Sequence, residues 1–207
     1  LLVEASFKQA KPVEIKYPDF VAVKVPQFSF ARLTGADPQL RVEMASTGEA
    51  AGFGKTEEEA FLKAELSVGA KMPRKGIFLS FGGEGNKVRM TEAVWQMKAL
   101  NLPIFATEKT ALWLKKNGLK VKRLFKIHEN KSPNLLDCFN RGKVDLAINL
   151  VDEGVSKEIN DDYMIRRAAI DHNVYLITDV RKARLLTKAL VKFKNKSLPV
   201  EPWSYYA

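Results

Sequence analysis

The chain has 207 residues, 46% hydrophobic and 28% charged, a balance that supports one large domain or two small ones and excludes a disordered polyelectrolyte. A single cysteine, Cys138, excludes an internal disulfide or a four-thiolate metal centre and points to a reducing, cytoplasmic compartment. The longest apolar runs, such as Ile77–Phe81, fall far short of the roughly 20 residues that span a bilayer. The net charge of +10 is unevenly placed: residues 1–70 hold 8 Lys+Arg against 10 Asp+Glu, while residues 71–207 hold 26 against 14. The basic excess therefore belongs to the last two thirds and points to an anionic partner. The chain opens on Leu1, and without a basic leader it reads as a piece of something longer.

Taken in order, residues 13–53 are rich in β-branched and aromatic residues broken by Pro and Gly, which predicts short antiparallel strands near 20–25, 38–45 and 49–53. A helix follows, with Thr56 as its N-cap, Glu59 completing a capping box, and Ala60, Phe61, Ala64 and Leu66 forming its packing face. Beyond residue 70 short apolar runs alternate with amphipathic stretches. Strands are predicted at Ile77–Phe81, 104–106, 123–125, Leu146–Leu150 and 174–177, with helices near 87–100, 108–117, 133–141, 160–172 and 180–193. The expected fold class is α/β: a five-stranded parallel sheet with helices on both faces, preceded by a small α+β unit over residues 1–70.

Ligands of such sheets sit beyond the carboxyl ends of the strands, where helix N-termini leave N–H groups unpaired. The first strand end offers Ser80, then a turn with Gly82, Gly83 and Gly85 that could admit an anion beside Lys87. The next offers Thr107 and Thr110, one helical turn apart; taken alone, Thr107 reads as a plain helix cap. Lys126 follows the third strand and Asn149 ends the fourth. Six such groups at consecutive strand ends predict an anion pocket.

Other residues read blandly. His128 and His172 lack metal-ligand spacing, and Cys138 reads as a packing residue of a helix. Trp95 and Trp113 are expected in the core or at its margin. Lys182, Arg184, Lys188, Lys192, Lys194 and Lys196 resemble a solvated helix face, and without interleaved aromatics they do not suggest a nucleic-acid groove.

Two stretches carry a family likeness. Residues 23–30 (VKVPQFSF), 35–38 (GADP) and 43–49 (EMASTGE) closely resemble the end of the second ATP-grasp domain of the carbamoyl phosphate synthetase large subunit. Residues 105–108 (FATE), 126–129 (KIHE), 148–150 (INL) and 165–169 (IRRAA) resemble that subunit's carboxyl-terminal regulatory domain, of methylglyoxal synthase-like fold. The resemblance runs from about Pro12 onward and implies residues 1–70 as the close of an ATP-grasp domain and residues 71–207 as an allosteric domain.

It further implies a parent enzyme making carbamoyl phosphate from bicarbonate, ammonia or glutamine and two ATP, for pyrimidine and arginine biosynthesis, beside a glutaminase small subunit. The groups holding ATP and magnesium would lie upstream, so this piece alone would be non-catalytic, with no metal or cofactor of its own. In members controlled by uridine or inosine monophosphate, phosphate-holding positions match Ser80, Lys87, Thr107, Thr110, Lys126 and Asn149; a threonine two positions after the asparagine is Val151 here. Members activated by N-acetylglutamate carry a tryptophan in the region of Lys126 and further asparagines after Asn149. This chain has Lys126, Asp152, Asp161 and Asp162 in those places, and carboxylates there would repel a carboxylate ligand. True methylglyoxal synthase needs a carboxylate base in a Gly-Gly-Asp segment after the third strand, where this chain has His128-Glu129-Asn130, so no base is expected beside the phosphate site. The alternative to a nucleotide pocket is a docking or oligomerisation module without a small-molecule ligand; neither nucleic acid nor membrane is expected as a partner.

Overall fold

The structure is a computed structural model that describes residues 18–38, 46–152 and 156–206. Two units follow one another along the chain. The first is an antiparallel ribbon, β1 (Val21–Gln27) with β2 (Gly48–Gly54), covered by helix α1 (Glu57–Ser67). The strand expected near 38–45 lies almost wholly outside the described residues. Gly52 is required where β2 meets α1, because a Cβ there would come within 2.6 Å of the Ala64 backbone nitrogen. Thr56 caps α1 by accepting the Glu59 N–H at 3.4 Å, but the box is not the predicted one: the Glu59 carboxylate accepts from Lys55 N–H, one residue before the cap.

The second unit is a parallel sheet in the order β5-β4-β3-β6-β7, formed by Lys122–Leu124, Ile104–Thr107, Ile77–Phe81, Leu146–Leu150 and Tyr175–Ile177. β3, β4 and β6 are buried on both faces, which explains their unbroken apolar runs. Helices α2 (Gly83–Met97), α3 (Glu108–Lys116) and α6 (Val180–Lys192) cover one face with Met90, Val94, Leu114 and Leu186 in its core, and α1 joins them through Phe61 and Leu62. Helices α4 (Leu135–Asn140) and α5 (Ser156–Asp171) cover the other, where Phe78, Phe105 and Ala147 meet Leu135, Phe139, Ile165 and Ala169. The chain turns back at β3, placing the topological switch between β3 and β6.

The strands and helices predicted beyond residue 70 are present with shifted ends. α2 begins at Gly83 rather than 87 and gives way to a 3-10 turn at Lys98–Leu100. α4 and α5 start at 135 and 156, and Phe125 leaves β5 to make an isolated bridge with Asn134. Trp113 packs edge-on against Phe81 at 6.0 Å, as expected, whereas Trp95 is 54% exposed on the outer side of α2.

The two units are joined by paired side chains. Glu65, buried near the end of α1, accepts from the Tyr175 hydroxyl and pairs with Lys182 Nζ at 2.8 Å. Lys192 reaches Thr56 Oγ1 at 2.8 Å and Glu58 at 3.0 Å. Part of the basic face predicted to be solvated is therefore an inter-unit contact. The chain's last described residues return to the first unit: Phe53 meets Trp203 at 5.2 Å and Tyr206 at 5.7 Å, Tyr206 lies 5.5 Å from Phe20, and Lys63 donates to the Tyr206 hydroxyl at 3.3 Å.

Candidate functional site

Strand register builds the site. Ser80 and Asn149 are ladder partners on β3 and β6, and Thr107, closing β4, lies beside Ser80 with their hydroxyl oxygens 3.4 Å apart. Thr107, Ser80 and Asn149 thus form a polar row across three adjacent strands. In-register Phe105, Phe78 and Ala147, two residues earlier on each strand, sit in the α4/α5 core, so the alternation of strand side chains turns the row to that same face. The sheet's last layer before solvent is polar because the hydrophobic core stops there.

Thr107 occupies the N-cap position of α3, but its hydroxyl makes no capping bond; it donates to Thr110 Oγ1 at 3.4 Å instead. Thr110 Oγ1 also accepts the Phe81 N–H at 3.0 Å. With both acceptor positions used, the Thr110 hydroxyl keeps its own proton to donate. A hydroxyl chain with 3.4 Å links exchanges readily for shorter bonds to an anion's oxygens, and the α3 N-terminus favours negative charge there.

Asn149 is fully buried and held at both ends of its amide, donating to Asp162 Oδ1 at 2.7 Å and lying 3.5 Å from Arg166 Nη1 through Oδ1. Lys126, following β5, pairs with Asp161 Oδ2 at 2.7 Å, and Asp161 Oδ1 meets His128 Nδ1 at 2.5 Å. The crevice between Thr107, Phe125, Lys126, Asp161 and Ile165 encloses only about 10 Å³, room for at most one water.

Three local arrangements border the row. The glycine turn packs closely on the chain after β6: a Cβ on Gly82 would lie 2.7 Å from Asp152 N, and Gly83, at φ +67°, backs onto the Asp152 carboxylate. Lys87 is buried near the start of α2, but its ammonium pairs with Glu84 at 2.5 Å, on the same turn. As the sequence suggested, Asp161 and Asp162 stand beside the row, brought in by α5. The structure thus links Ser80, Thr107 and Thr110 directly, sets Asn149 in register with them, places Lys126 on the adjoining crevice and ties Lys87 to its own helix.

Asp37, Asn86 and Arg166 were not legible as site neighbours. Asn86 secures the turn by donating to Gly82 O at 2.8 Å and Val151 O at 3.0 Å. Beside it opens a polar cleft of about 410 Å³, lined by Arg89, Asp152, Thr178 and Asp179 among others. Cys138 is buried, and desolvation pushes its thiol above the ordinary range, away from nucleophilic use. Among the described residues, no cluster of His, Cys, Asp and Glu could hold a metal, and no helix is long and apolar enough to cross a membrane.

Comparison with known proteins agrees with this architecture. Residues 89–178 match the family model described as MGS-like domain. The chain is 40% identical over 200 residues to the multifunctional protein pyrABCN of Emericella nidulans, covering 92% of this chain and 9% of that one. It is 40% identical over 188 residues to the multifunctional protein URA2 of Saccharomyces cerevisiae, with 86% and 8% covered. With the mitochondrial carbamoyl-phosphate synthase [ammonia] of Rattus norvegicus the identity is 39% over 181 residues, with 86% and 12% covered. The chain therefore spans about a tenth of the length of these relatives. Residues 89–178 thus match the MGS-like domain family, within a sequence about 40% identical over most of its length to parts of a carbamoyl-phosphate synthase and of two multifunctional proteins.

Proposed function

We propose that the chain is the regulatory end of a carbamoyl-phosphate synthase large subunit, with residues 1–70 closing its second ATP-grasp domain and residues 71–207 forming an allosteric domain that takes a nucleoside monophosphate by its phosphate. The observation that carries this reading is the row Thr107–Ser80–Asn149 with Thr110 behind it, at the N-terminus of α3 and beside Lys126. Hydroxyl and amide donors, one helix dipole and one ammonium suit a phosphate dianion. On this reading the residues that hold ATP and magnesium belong to other parts of the parent enzyme, ammonia arrives there from a glutaminase partner or free, and the piece described here regulates without catalysing.

Calorimetric titration with uridine and inosine monophosphates, with N-acetylglutamate as comparison, tests it. Binding of either nucleotide is the expected result, and no heat from either at millimolar concentration overturns the reading. Lys126→Ala should weaken the nucleotide about tenfold or more, since it removes one charge-assisted contact and leaves Asp161 held by His128 alone beside the phosphate. The melting temperature should hardly move, because the pair is partly exposed. A second reading, an oligomerisation face, draws support from Val88, Trp95 and Leu112, exposed on the outer sides of α2 and α3; sedimentation of the isolated chain as a monomer would remove it.

A further inference from the structure

The first unit is fastened to the second at a second place, far from the Glu65 contact. Tyr163, Arg166 and Arg167 stand at i, i+3 and i+4 on α5, hence on one face of that helix. All three reach the loop at residues 30–37. The Tyr163 hydroxyl donates to Gly35 O at 2.9 Å, and Arg167 Nη1 donates to the carbonyls of Phe30, Leu33 and Ala36 at 3.2, 2.9 and 3.2 Å. Arg166 grips Asp37 in a two-point fork, Nε to Oδ1 at 2.7 Å and Nη2 to Oδ2 at 2.5 Å.

Arg166 differs from its neighbours in being wholly buried. A guanidinium removed from water has to be paired, and its partners are then not interchangeable with solvent. Its third arm, Nη1, points to Asn149 Oδ1 at 3.5 Å, and Asn149 is the buried member of the strand-end row. One planar cation thus touches the row with one nitrogen and the other unit with two. The fork is rigid, so a shift at one arm is felt at the others.

We propose that Arg166 is a positioning residue that couples the strand-end row to the loop at residues 30–37, through Asn149 on one side and Asp37 on the other. The regulatory use of this coupling rests on the phosphate reading above. An anion takes the second N–H of Asn149 Nδ2 or displaces Asp162 from the first, and its charge competes with Asp37 for the guanidinium. Occupancy of the row is then registered in the first unit, with no contact between ligand and loop.

Amide hydrogen exchange on the full chain without ligand decides the coupling. Asn149→Ala alters the row, where Asn149 bonds Asp162 and Arg166; Asp37→Asn alters the loop end, where Asp37 holds the Arg166 fork. Asn149→Ala should change exchange in residues 30–37 by about fivefold or more, and Asp37→Asn should do the same at the end of β6, with exchange in α6 unchanged as the control for general loosening. Changes under about twofold in whichever variants fold overturn the inference; Asp37→Asn, isosteric and with a side chain 35% exposed, keeps it falsifiable if Asn149→Ala does not fold. Uridine or inosine monophosphate is then added to the wild type. If the variants respond but neither nucleotide binds, the coupling stands and the proposed ligand falls. If a nucleotide binds and exchange in residues 30–37 does not respond, the regulatory use is overturned.

Discussion

Replacing Glu65 by alanine removes the acceptor at the centre of the contact between α1, β7 and α6. The carboxylate is 1% exposed, accepts from the Tyr175 hydroxyl and pairs with Lys182 Nζ at 2.8 Å. A buried donor stripped of its acceptor costs about 1–3 kcal/mol, and breaking a fully buried ion pair about 3–5 kcal/mol. Lys182 is 31% exposed and can turn its ammonium to water, so the ion-pair figure is an upper bound. The expected loss is therefore about 2–3 kcal/mol, which in a chain of this size lowers the melting temperature by about 5–10 °C. Thermal and urea unfolding followed by circular dichroism measure it. Glu65→Gln, which keeps an acceptor, should lose less than half as much. In a double-mutant cycle with Lys182→Ala the two changes should be non-additive by at least about 0.5 kcal/mol. A Glu65→Ala melting temperature within about 2 °C of the wild type, or full additivity with Lys182→Ala, would refute the account of how the two units are held together.

The same contact sets an alkaline limit. Burial, and after it the neighbouring Glu65 carboxylate, pushes the Tyr175 phenol far above its ordinary 10.0. The unfolded chain releases this proton near pH 10 while the folded chain keeps it, so stability is intact below about pH 10 and falls above it by up to about 1.4 kcal/mol per pH unit. Urea midpoints at pH 9 and 11 should diverge in the wild type and converge in Tyr175→Phe; an equal slope in both would disprove the assignment. At the β3–α2 turn, Gly83→Ala should cost about 1–3 kcal/mol, because φ is +67° and the new methyl meets Asp152. Gly85→Ala, two residues on with nothing within 4 Å of its Cβ position, should stabilise by about 0.5–1 kcal/mol in the same urea assay.

Periodicity exposed the parallel sheet because each strand and its crossover helix lie within about forty residues, and a strand buried on both faces has few spellings other than a short apolar run. Strand ends followed from it, which is why Ser80, Thr107 and Asn149 could be nominated and why they meet in register. Partners more than a hundred residues away leave no local trace. Asp37 and Arg166, or Glu65 and Lys182, read singly as ordinary surface charges, and only the packing of one unit on the other makes them buried pairs. Trp95 misled for a related reason. Helical spacing says which side chains share a face, while the rotation of that face relative to the sheet is set by tertiary packing. The early start of α2 was hidden by Gly83 and Gly85, residues that argue against helix on propensity and are tolerated at its first turn.

The return of Trp203 and Tyr206 to Phe20 and Phe53 has a consequence for biosynthesis. These aromatic partners are separated by at least 150 residues of chain, so the ribbon that is made first cannot complete its packing until the end of the sheet unit has been translated. At ~5–20 residues per second that delay is ~8–30 s, during which Phe20 and Phe53 stay open to solvent and to chaperones. Of the two units the ribbon is thus synthesised first and finished last, and replacing Trp203 and Tyr206 by alanine should be felt as poor yield of soluble chain before any defect in the sheet is detected.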